Sequence, residues 1–126
     1  MELRRVVITG LGAITPIGNT VSEFWDALCK GVNGAGPITR FDSSKFKTRI
    51  ACEVKNFDSL QFFDRKEARK LDLYEQFAIV ASDEAIQDSK ITKDNTDFNE
   101  VGVVFSSGIG GINSFYEEVM SHAAGD

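Results

Sequence analysis

Four groups of residues in this 126-residue chain could do chemistry. The first is Gly10-Leu11-Gly12-Ala13-Ile14-Thr15, a glycine turn behind the apolar run Val6-Val7-Ile8-Thr9. A dinucleotide-binding turn needs a third glycine, a helix that starts at once and an acidic residue at the end of the next strand. Here Thr15 holds the third position, Pro16 follows, and the next helix cap is Thr20. A helix N-terminus that far along cannot hold a pyrophosphate against the turn, so the glycines are read as letting the backbone pass close to a neighbour. The second group is Ser106-Ser107-Gly108-Ile109-Gly110-Gly111, just beyond another apolar run, where open α/β sheets place ligands. Amides at a helix start attract anions, but no Gly-Lys-Ser/Thr ending follows, so this is not a P-loop. A pocket wall and simple close packing both remain open.

The third group is cationic: Arg65, Lys66, Arg69 and Lys70, with Glu67 among them. On a helix Arg65/Arg69 and Lys66/Lys70 are like-charge pairs four apart, each unfavourable by about 0.2–0.5 kcal/mol. Such a cluster is either a solvated face or a surface offered to an anionic partner. The fourth group is Cys29, Cys52 and His122. A nucleophilic cysteine needs a helix N-terminus or a cationic neighbour, and neither position supplies one. Both cysteines are expected to be small core residues and His122 a surface residue without a catalytic partner. Two cysteines and one histidine cannot complete a His/Cys zinc site or a disulfide framework. No catalytic residue and no metal ligand is assigned.

Composition narrows the classes further. The net charge is -5, but residues 1–70 carry 12 basic and 8 acidic groups while residues 71–126 carry 2 and 11. The acidic total speaks against nucleic-acid binding; the basic half leaves room for an acidic partner. No run approaches the ~18 apolar residues of a membrane span. Met1-Glu2-Leu3-Arg4-Arg5 reads as a basic pair ahead of a buried first strand rather than a secretory signal. The cysteine usage fits the reducing cytosol. A chain of this length is expected to be one domain or part of one, covering roughly two-thirds of its unfolded surface.

The elements that must position these groups follow from periodicity and caps. Val6–Thr9 and Val101–Phe105 are apolar on both faces, the pattern of interior parallel strands. Thr20-Val21-Ser22-Glu23 is a capping box opening a helix to Lys30, with Phe24, Ala27 and Leu28 on one face, and Gly31 stops it. Residues 31–47 read as loop, and Arg49–Val54 as an edge strand with Ile50, Cys52 and Val54 on one side. Asp64-Arg65-Lys66-Glu67 and Asp72-Leu73-Tyr74-Glu75 are further capping boxes. The second starts a long helix burying Phe77, Val80, Ala81 and Ala85. Residues 91–100 read as linker, and a last amphipathic helix carries Ile112, Phe115, Val119 and Met120. The order is α/β, yet two interior strands lack neighbours, so more sheet is expected outside these residues.

Four segments in register strongly resemble the opening of the β-ketoacyl-acyl carrier protein synthases of the elongating type II class. They are Arg5–Gly12, Pro16-Ile17-Gly18-Asn19-Thr20, Arg65–Asp72 and Ser107–Gly111. The resemblance runs over essentially all of the chain. It implies an incomplete N-terminal domain, residues 1–126, of a thiolase-like fold layered αβαβα, in a cytoplasmic homodimeric parent that needs no cofactor. It implies that Lys66, Arg69 and Lys70 receive acyl carrier protein, and that Gly108, Ile109 and Gly110 lie at the acyl pocket, with Ile109 gating chain length. The family's chemistry is decarboxylative Claisen condensation in fatty-acid biosynthesis. A cysteine carries the acyl chain as a thioester, and two histidines stabilise the enolate of malonyl-carrier protein. None of the three matches a residue here, so the isolated chain is expected to be inactive. Two rivals are a non-catalytic chain-length partner of a polyketide synthase and a nucleotide-binding α/β domain.

Overall fold

The computed structural model describes residues 4–125; Met1–Leu3 of the N-terminal lead-in, and Asp126, lie outside the described residues. The chain forms two compact units, one of residues 1–57 and 81–91, the other of residues 58–80 and 92–126.

In the first unit, helix α1 spans Val21–Cys29. Its expected cap is present: Glu23 N–H donates to Thr20 Oγ1 at 3.2 Å. The return bond is displaced by one residue, with Asn19 N–H donating to Glu23 Oε2 at 2.8 Å. The far end closes as a Schellman motif. Gly31, at φ +66, donates to Leu28 O, and Val32 N–H donates to Ala27 O at 2.9 Å.

Two short strands follow, β1 (Gly36–Pro37) and β2 (Ile50–Ala51), antiparallel with Gly36 opposite Ala51 and Pro37 opposite Ile50. β1 corrects the expectation of loop throughout 31–47, and β2 is only two residues of the expected edge strand. The ladder is short for two physical reasons. Pro37 has no N–H to give. Beyond it, the Glu53 carboxylate, not a backbone carbonyl, takes the Thr39 amide (3.1 Å) and hydroxyl (2.7 Å). The hydroxyl bond first, then the amide bond, holds the Glu53 carboxyl below its ordinary range.

Helix α3 spans Leu73–Ser89, and its second half belongs to this first unit. The glycine turn packs directly on it. A β-carbon on Gly10 would overlap the Ala85 carbonyl and Ser89, and one on Gly12 would overlap the Ala81 carbonyl. The expectation of a close backbone approach therefore holds, and α3 is the neighbour. Acidic side chains of α3 secure the turn: Leu11 N–H donates to Asp88 (3.0 Å) and Ala13 N–H to Glu84 Oε2 (2.9 Å). The other Glu84 oxygen accepts from Val21 N–H at 2.9 Å, so one carboxylate ties the turn and the start of α1 to the same helix.

The second unit holds α2 (Arg65–Ala68), the first half of α3 and α4 (Ile112–Ala124), with 3₁₀ turns at Ser59–Gln61 and Phe98–Glu100. The latter turn falls within the stretch read as linker. Among the described residues, Phe63, Gln76, Ala78 and Val80 are buried in the second unit and Ala27 in the first.

The two expected interior strands do not form as strands among the described residues. Val6, Ile8 and Val104 are 89%, 83% and 95% exposed. A parallel strand needs hydrogen-bonded neighbours and layers on both faces, and no described segment pairs with either run. The same lack of cover corrects other core assignments. Cys29 and Cys52 are exposed rather than buried, as are Leu28, Ile50 and the α4 face of Ile112, Phe115, Val119 and Met120. In α3, Val80 is buried as expected, while Phe77, Ala81 and Ala85 are only half-buried. The accessible surface is 10762 Å², against about 6,700 Å² for a typical folded monomer of this mass. The expectation of two-thirds burial fails by that excess. No helix among the described residues is long and apolar enough to cross a membrane.

Candidate functional site

The cationic segment starts from its cap. Asp64 Oδ1 accepts both Lys66 N–H and Glu67 N–H at 2.8 Å, which fixes the first turn of α2. The helix is one turn long, and the chain just after it is held by α3. Gln76, on α3 and only 6% exposed, donates through Nε2 to Ala68 O (3.0 Å) and Leu71 O (2.9 Å). Ala68 O is an orphan acceptor of the helix C-terminus, and Leu71 O lies in the turn beyond its cap. Lys66, Arg69 and Lys70 are all exposed. Asp64, Lys66, Glu67, Lys70 and Leu71 line an open depression of about 410 Å³. The segment is therefore a rigid cationic ledge clamped from behind by a buried amide, not a long helical face with paired like charges.

The turn at 107–111 leads into α4. Ser107 Oγ accepts from Gly110 N–H at 3.1 Å, and Gly110 sits at φ +85, a left-handed conformation that suits glycine. Ile109 is 79% exposed. Gly111 is the N-cap of α4 and supplies no side-chain cap. The Asp72 carboxylate packs against Gly111, close to where a β-carbon there would be, and accepts from the Ser114 hydroxyl in the first turn of α4. Asp72 N–H in turn donates to Glu75 Oε2 at 2.8 Å, so the third capping box keeps its return bond. Its first half differs: Glu75 N–H goes to the Asp72 carbonyl, leaving the carboxylate free to reach α4. Tyr74 stands beside this group, and its phenol is held above its ordinary range, first by the Glu75 charge, then by desolvation and Asp72.

Within this unit, then, the ledge of Lys66, Arg69 and Lys70 and the turn of Gly108, Ile109 and Gly110 are joined through Asp72. Sequence reasoning treated them as separate motifs. It missed Gln76, which reads as one more helical residue, and it spent Asp72 on a local cap.

The first glycine turn offers nothing to a phosphate. Its Leu11 and Ala13 amides are occupied by Asp88 and Glu84, and two carboxylates there would repel an anion. His122 is exposed on α4. Among the described residues no three of His, Cys, Asp or Glu gather as metal ligands.

This chain of helices and two short strands corresponds to part of the N-terminal region of a thiolase-like ketosynthase. The family model for the β-ketoacyl synthase N-terminal domain matches residues 3–125, and the chain belongs to that family. It is 52% identical over 112 residues to the 3-oxoacyl-[acyl-carrier-protein] synthase 2 of Synechocystis, covering 89% of this chain and 27% of that protein. The synthase 2 of Coxiella burnetii is 50% identical over the same shares. Among solved structures, the ishigamide ketosynthase/chain length factor superposes with a TM-score of 0.76 at 31% identity, covering 98% of this chain and 31% of the other. A type II polyketide ketosynthase, solved with its acyl carrier protein and bound to the hexaketide, superposes with a TM-score of 0.55 at 26% identity, over 76% and 24%. The chain thus spans about a quarter of the length of the curated relatives it matches.

Proposed function

We propose that this chain is the opening part of an elongating 3-oxoacyl-acyl carrier protein synthase. The full-length enzyme lengthens acyl chains by decarboxylative condensation with malonyl-carrier protein in fatty-acid biosynthesis. The observation that carries the reading is half-identity to synthase 2 enzymes across 89% of the chain. The bare apolar runs Val6–Thr9 and Val101–Phe105 become interior strands once the rest of the thiolase-like fold, layered αβαβα, supplies neighbours and a homodimeric, cytoplasmic enzyme is complete. Lys66, Arg69 and Lys70 receive the acidic carrier protein. Gly108, Ile109 and Gly110 border the acyl pocket, with Ile109 as its gate. The nucleophilic cysteine and the two enolate-stabilising histidines come from the remainder; Cys29, Cys52 and His122 take no part.

The test is a hybrid in which this chain takes the place of the N-terminal part of the Synechocystis enzyme that it matches. The hybrid should condense malonyl- and acyl-carrier protein, and the 126-residue chain alone should not. A hybrid that folds and dimerises but is inert would overturn the assignment, as would condensation by the isolated chain. In the same hybrid, Ile109→Phe should shorten the longest acyl chain accepted, because a larger gate fills the pocket. An unaltered chain-length profile would refute the pocket role.

The likeness to a ketosynthase/chain length factor keeps a second reading in view, a non-catalytic chain-length partner in a polyketide system. The higher identity to synthase 2 enzymes favours the first. The residue at the nucleophile position of the full-length protein decides between them.

A further inference from the structure

We infer that Asp72 is a positioning residue that sets the glycine turn, and with it the acyl-chain selectivity, from the base of the cationic ledge. The inference rests on the reading of Gly108–Gly110 as the pocket border. Three observations within one unit carry it. Helix α4 begins at Gly111 with no side-chain cap of its own, and the Asp72 carboxylate fills the space against Gly111 and accepts from Ser114 in the first turn. A negative charge there complements the partial positive charge of a helix N-terminus. Asp72 is itself held on both sides. Its amide is bound by Glu75 (2.8 Å), and the preceding Leu71 carbonyl is bound by the buried Gln76 (2.9 Å), which also grips Ala68 at the end of α2 (3.0 Å). Finally, the turn it anchors adopts a left-handed conformation at Gly110, and the space beside that glycine is bounded by Tyr74, 3.9 Å from where a β-carbon would stand. Lys70 is two residues from the anchor and Ile109 two residues from its target.

The roles separate by chemistry. An asparagine side-chain oxygen can still accept from the Ser114 hydroxyl, while alanine cannot. In the Synechocystis hybrid, Asp72→Ala should change the ratio of kcat/KM between short and long acyl-carrier substrates by about threefold or more, with carrier-protein affinity unchanged. Asp72→Asn should return most of that ratio. Ser114→Ala should move it in the same direction, and the Asp72→Ala/Ser114→Ala pair should be no worse than Asp72→Ala alone. Should Asp72→Ala fail to fold, Ser114→Ala carries the same test at the surface of α4. A selectivity ratio untouched by Asp72→Ala, or by Ser114→Ala where the former does not fold, overturns the inference. So does an equal loss of kcat/KM for every chain length, the mark of a purely structural role. Failure of the pocket reading is recognised separately, by Ile109→Phe leaving the chain-length profile unaltered.

Discussion

Reversing two charges of the ledge, Lys66→Glu with Arg69→Glu, should weaken binding of acyl carrier protein to the Synechocystis hybrid by about tenfold or more at low ionic strength. The argument starts from exposure. Both side chains project into solvent from a segment whose backbone is fixed by Asp64 in front and Gln76 behind. Reversal therefore changes the local field without disturbing an internal bond. An exposed ion pair is worth only about 0.2–1 kcal/mol, but each reversal replaces an attraction by a repulsion. Two together should exceed about 1.4 kcal/mol, which is tenfold. The loss should lie mainly in the association rate, as for charges at an interface rim. It should shrink as salt rises, because the screening length falls from about 30 Å at 0.01 M to about 10 Å at 0.1 M. Surface-binding kinetics across a salt series measures both. Unchanged affinity at low salt would refute the docking role. A loss that persists undiminished at high salt would point to disrupted structure instead of lost steering.

How much of this was legible in advance divides along physical lines. Caps and periodicity are local, so α1 and α3 are expected at nearly their observed bounds and α2 and α4 where they lie, and Thr20 and Asp64 cap as their spacing demands. Strands are not local: Val101–Phe105 has the composition of a buried strand, but pairing depends on partners that no described segment offers. The exposure of Cys52 has the same origin, since alternation around Ile50 says which side faces inward but not that anything covers it. Long-range polar bonds were the least legible. Glu84 sits between half-buried alanines of α3, where a pattern of apolar residues gives no sign that a carboxylate reaches two separate amides. Asp72 to Ser114 spans forty-two residues. The motifs could be recognised one by one; the bonds that join them could not.

The anchoring of the first glycine turn supplies the largest expected stability effect. Gly12→Ala should destabilise the hybrid by about 1–3 kcal/mol, the usual penalty for forcing atoms into a filled site. The β-carbon would meet the Ala81 carbonyl and Ala85 nitrogen of α3, which are backbone atoms that cannot rotate away. Retreat of the turn would also stretch the bonds from Leu11 and Ala13 to Asp88 and Glu84. Gly36→Ala is the matched control, because its β-carbon would meet nothing within 4 Å, and it should be close to neutral. Glu84→Ala should approach the effect of Gly12→Ala by another route. It strips acceptors from Ala13 and Val21 together, and an amide left unsatisfied in a part-buried position costs about 1–3 kcal/mol. Since both changes free the same turn from the same helix, the double variant should lose less than the two single losses added. Denaturant midpoints of the hybrid and its four variants measure all of this. A Gly12→Ala midpoint equal to that of Gly36→Ala would show that the turn does not pack on α3. Full additivity would show that Glu84 and Gly12 hold different parts of the chain.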